Sequence, residues 1–95
     1  MISKTYDAAS DTTTLTFTVR HDAPLSFLTS INGWQPSGFP LYSDRSGNQS
    51  ITLRAPAGAE IAFRYASSDG YCFDEADADR IEPNGLGETN SIVIA

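Results

Sequence analysis

Ile61-Ala62-Phe63-Arg64-Tyr65-Ala66-Ser67-Ser68-Asp69-Gly70-Tyr71 is the stretch that decides the fold. Ile61, Phe63 and Tyr65 alternate with Ala62 and Arg64, the period of a strand with one face on a core. Asp69-Gly70 then supplies the positive φ values that a hairpin turn demands. Upstream, Leu15, Phe17 and Val19 alternate with Thr14, Thr16 and Thr18, and Ile51 and Leu53 with Thr52 and Arg54. Leu25 to Thr29 and Ile92 to Ile94 read as further short strands, Ile2 to Tyr6 as an edge strand and Leu41-Tyr42 as a minor one. Between them stand Asp22-Ala23-Pro24, Gln35-Pro36-Ser37-Gly38, Arg45-Ser46-Gly47-Asn48 and Pro56-Ala57-Gly58, all turn chemistry. Short strands between regular turns predict an all-β sandwich or barrel. A core of Leu15, Phe17, Val19, Phe27, Ile51, Leu53, Ile61, Phe63, Ile92 and Ile94 is expected, with Tyr65 in or beside it. Glu75 to Asp79 is the one helix candidate, at most a single turn.

The 95 residues make one domain, 1–95, long enough to bury a core without metal or disulfide. Cys72 is the only cysteine, so no intrachain disulfide can form, and a free thiol fits a reducing cytoplasm. The first residues lack the basic and apolar regions of a signal peptide, and no apolar run reaches membrane-spanning length. A formal net charge of −6 argues against sequence-independent nucleic-acid binding and against docking on anionic lipid. Seven of the twelve acids fall between Asp69 and Glu88. Asp74, Glu75, Asp77 and Asp79 lack the loop pattern of a calcium site and read as a solvated run. No catalytic set stands out. His21, the sole histidine, lies at a strand end, and a sandwich of this size offers little concavity for two carboxylates around a glycosidic bond.

Three segments resemble one known family. They are Asn32-Gly33-Trp34, the Arg64 to Tyr71 hairpin, and Ala78-Asp79-Arg80 through Pro83-Asn84-Gly85-Leu86-Gly87-Glu88-Thr89-Asn90-Ser91. Together they are similar to the glycogen-binding, family-48 carbohydrate-binding module, or isoamylase early-set domain. Leu86 to Asn90 is similar to the Leu-Gly-Thr-Val-Asn loop of AMP-activated protein kinase β-subunits, and the likeness runs from about Lys4 to Ile94. It implies an immunoglobulin-like sandwich of about seven or eight strands. It also implies non-catalytic binding of an α-1,4-glucan such as glycogen, starch or a maltooligosaccharide, with no cofactor.

By that resemblance Trp34 and Tyr71 stack on sugar rings, Arg64 and Asn90 bond hydroxyls, and Leu86 packs on the sugar edge. Flat aromatic faces and planar polar groups are the two devices such sites use. Read from the residues alone, Trp34 is rather a loop tryptophan capping the core, Arg64 a solvated strand-face side chain, and Asn90 a tie to the last strand. Phe73 competes with Tyr71 for the second platform. The sequence departs from the family at several points: Thr29-Ser30-Ile31 stands where Gly-Asp-Phe precedes Asn-x-Trp, the usual second tryptophan is missing, Glu88 stands where a threonine is found, and one residue is inserted around Ser67-Ser68 and another near Asp77. The alternative is a protein-interaction module for a glucan-metabolising enzyme that has lost sugar binding.

Overall fold

The computed structural model describes residues 1–30, 33, 41–68, 71–83, 85 and 87–95. Nine strands form among them: β1 (Ile2–Asp7), β2 (Thr12–Arg20), β3 (Leu25–Thr29), β4 (Tyr42–Ser43), β5 (Asn48–Pro56), β6 (Glu60–Ser67), β7 (Cys72–Phe73), β8 (Arg80–Pro83) and β9 (Thr89–Ile94). They make two antiparallel sheets. One runs β1-β2-β5-β4, the other β3-β6-β9-β8, with β7 added to β6.

Period-two alternation explains how the sheets meet. β2 turns Thr13, Leu15 and Phe17 inward, and β5 turns Gln49, Ile51, Leu53 and Ala55 inward. From the second sheet come Leu25, Phe27 and Thr29 of β3, and Ile61, Phe63 and Tyr65 of β6. Phe17 joins the two layers, its ring centroid 4.7 Å from Phe27 and 5.0 Å from Phe63. Such tilted and edge-on pairs are the arrangements aromatic quadrupoles favour. The architecture is an all-β sandwich.

Several expectations need correction. Ile94 was expected inside but is 38% exposed, while Val93 is fully buried. The register sets Val93 opposite Ile61 and Ser91 opposite Phe63, so β9 presents its odd residues to the space between the sheets, while Ile92 on the other phase is buried as expected, at 5% exposure. Ile-Val-Ile is equally apolar in either phase, and the side that won is the one where Ser91 can serve as a buried hydrogen-bonding post. Val19 is half-buried, and Leu25, Leu41 and Ala55 join the core. Glu75 to Asp79 forms turns in place of a helix. Two short strands, β7 and β8, arise in a segment whose loop character masked them and bring the count to nine.

Polar contacts fasten the chain where it crosses between sheets. Gln49, 3% exposed, accepts from the Leu25 N–H at 2.7 Å and donates to the carbonyls of Ala23 at 2.7 Å and His21 at 3.2 Å. It therefore satisfies the backbone of the β2–β3 crossover from within the first sheet. The β5–β6 turn closes through Ala59 N–H to Pro56 carbonyl, with Gly58 at φ 85°.

Candidate functional site

Arg64 owes its place to the alternation of β6. With Ile61, Phe63 and Tyr65 inward, Ala62, Arg64 and Ala66 face out from the second sheet. One edge of β6 is served by two strands in succession. β9 pairs Glu60 to Phe63, then β7 pairs Tyr65 and Ala66 with Phe73 and Cys72. Arg64 stands at the handover. One further step in the β9 register sets Asn90 level with it, and Asn90 is in turn opposite Glu82 of β8. Leu28 flanks Arg64 from β3. The outer face thus carries a row Leu28, Arg64, Asn90, Glu82.

The Arg64 side chain is only 17% exposed, and its Nη1 lies 2.7 Å from Oε2 of Glu88, which reaches it from the segment ahead of β9. Arg80, also on the outward phase, is held by Glu82 at 2.6 Å and by Glu60. These acids draw the Arg80 pKa above its usual value, Glu82 through its hydrogen bond first.

Tyr71 lies elsewhere. It is 63% exposed and stacks on Phe73, with centroids 6.0 Å apart and planes at 25°. Phe73 stacks in turn on His21 at 5.3 Å and meets Tyr65 at 5.4 Å. Because strand neighbours alternate, the residue of β7 that shares the Arg64 side is Cys72, paired with Ala66. The structure brings Arg64 and Asn90 together and sets Tyr71 on the phase of Phe73 and Tyr65, at the end of the sandwich. Trp34 and Leu86 lie outside the described residues.

The acidic segment is used to tie strands together. Asp74 accepts from Ser91 Oγ at 3.0 Å and from the Thr89 hydroxyl. Asp79 pairs with Lys4 at 2.8 Å and accepts from the Ile94 N–H at 2.7 Å, contacts that hold its pKa low. Glu75 is 6% exposed and borders a recess of about 260 Å³ between Val19, Arg20, Tyr65 and Phe73. Burial pushes the Glu75 carboxyl up. The Met1 ammonium at 2.8 Å, the Asp77 N–H at 2.9 Å and the Tyr65 hydroxyl at 2.9 Å outweigh it, and the pKa falls below its usual value. No group of three or more metal-ligating side chains gathers among the described residues.

No protein-family model matches this sequence, and no curated protein does either. The outer face must therefore be judged on its chemistry. Arg64 and Asn90 occupy neighbouring positions on the same face of the second sheet. They offer planar donors and an acceptor at fixed angles to an elongated polar ligand. The Glu88 contact and the Cys72 phase were not legible in sequence. The first depends on a loop reaching over the sheet, and the second on which residue of β7 pairs with Ala66. The short Ala66–Cys72 spacing in the sequence was the signal for it.

Proposed function

We propose that this chain is an immunoglobulin-like, early-set sandwich that binds an α-1,4-glucan non-catalytically on the outer face of the second sheet. The observation that carries the reading is the side-by-side placement of Arg64 and Asn90 on that face. Strand order supports the immunoglobulin-like assignment: first, second, fifth and fourth strands in one sheet, third, sixth and ninth adjacent in the other. Arg64 and Asn90 would bond ring hydroxyls, Trp34 would supply the stacking surface and Leu86 would pack on the sugar edge. With Tyr71 on a different phase, one aromatic platform serves this face. Since a stacking contact adds only about 0.5–1.5 kcal/mol beyond area burial, short sugars should bind weakly and polymers by multivalency. No helix among the described residues is long and apolar enough to cross a membrane. The unpaired Cys72 fits a cytoplasmic setting.

The test is an amide NMR and tryptophan-fluorescence titration with maltoheptaose, using cellohexaose as control. Saturable shifts at Arg64, Glu88 and Asn90 with the α-glucan alone are expected, and Arg64→Ala should weaken binding roughly tenfold, the worth of one charge-assisted hydrogen bond. The position of Tyr71 favours a second reading. An exposed ring on an aromatic stack at the sandwich end suits an anchor for a protein partner, such as a glucan-metabolising enzyme. Silence with millimolar sugar would sink the glucan reading and leave this one.

A further inference from the structure

We propose that Glu88 sets the charge selectivity of the outer face: by neutralising Arg64 it restricts the site to uncharged glycans and turns away phosphorylated or sulfated ones. The kind of ligand rests on the glucan reading above, while the charge control stands on the ion pair itself. Arg64 is the side chain at the centre of the row best suited to an anion, because a guanidinium fork matches phosphate and sulfate geometry. Its Nη1 is already engaged by the Glu88 carboxylate at 2.7 Å. The other arginine of this face, Arg80, is held by Glu82 and Glu60. Two guanidinium groups thus meet three carboxylates among the described residues, so this cluster carries a net negative charge. Arg20, Arg45 and Arg54 differ, for none of them lies within ion-pair distance of a carboxylate among the described residues. An incoming anion must displace Glu88 and then sit beside Glu82 across Asn90. A sugar hydroxyl can accept from the remaining Arg64 donors with the pair intact, since the guanidinium carries five N–H groups.

The experiment titrates the wild type, Glu88→Gln and the double variant Arg64→Gln/Glu88→Gln with maltoheptaose, sulfated maltoheptaose and inorganic sulfate. Amide shifts and the Arg64 side-chain Nε–H resonance are followed. Glu88 is 59% exposed, so replacing it with its isostere leaves the fold intact. In the wild type, sulfated maltoheptaose should bind more weakly than the neutral sugar. Glu88→Gln should bind it roughly tenfold tighter, the worth of one charge-assisted hydrogen bond. The double variant should lose that gain. Equal wild-type affinity for both sugars would overturn the proposal, as would a Glu88→Gln protein that gains no anion affinity. If no variant binds maltoheptaose but Glu88→Gln gains sulfate through Arg64, the charge control stands and the glucan reading falls.

Discussion

Glu75 is a buried carboxylate whose partners come from three parts of the chain: the Met1 ammonium, the Asp77 N–H and the Tyr65 hydroxyl. Tyr65 cannot easily ionise there, since burial and the adjacent charge push its pKa far above the ordinary value. Tyr65→Phe keeps the ring in the core and removes one donor to a charge. It should cost about 1.5 kcal/mol, read as a lower urea midpoint at unchanged slope. Glu75, Asp44 and Asp79 all have pKa values lowered in the folded state, from ordinary values of 4.5, 3.8 and 3.8. For Asp44 the cause is the N–H groups of Ser46 and Asn48; for Asp79 it is Lys4 first, then the Ile94 N–H. A depressed carboxylate binds fewer protons folded than unfolded. Its contribution is complete above the unfolded value and is lost as pH falls through the folded one. The urea midpoint should therefore hold from pH 7 to about 5 and drop below about 4.5. The phase of Tyr71 was beyond reach at this scale. A tyrosine two residues from a phenylalanine shares its side, but which side that is depends on the pairing of β7 with β6, a fact no single residue carries.

At the scale of elements, Gln49 shows how one side chain can hold a crossover. Gln49→Leu keeps the volume and abandons the Leu25 N–H and two carbonyls inside the protein, a loss of roughly 3 kcal/mol. Urea unfolding would reveal it, and a change under 1 kcal/mol would show that water replaces the amide. The β5–β6 turn has Gly58 at φ 85° after a residue with negative φ, the sign pattern of a type II turn. Open space surrounds a Cβ there, so Gly58→Ala should cost only its backbone strain, about 1–2 kcal/mol by the same assay. Strands β2, β5 and β6 were legible because strict alternation leaves one solution. β9 was legible as a strand but not in phase, for Ile92, Val93 and Ile94 can each be buried and the buried Ser91 overrides propensity. β7 and β8 are short and charged at their flanks, so pairing rather than pattern defines them. Of the candidate site, the outward phase of Arg64 was readable from β6 alone, whereas its Glu88 partner was not.

Across the whole molecule, stability concentrates where Phe17, Phe27 and Phe63 meet between the layers, all fully buried. Phe63→Ala removes the ring that touches both other members and Tyr65, and should cost about 3–5 kcal/mol in the urea experiment. A smaller loss would mean that the sheets close over the gap. The pairings that build the sandwich join distant segments, such as β2 with β5 and β3 with β6, so loop closure precedes most of the stabilising contacts. The handover along β6 has a consequence of its own. β7 and β9 pair with β6 in succession along one edge, and Arg64 marks the seam where they abut. A ligand gripping Arg64 and Asn90 would act as a stitch across that seam. Its arrival should slow amide hydrogen exchange in Cys72 and Phe73 as well as in Thr89 to Ser91, though it need touch only the latter side.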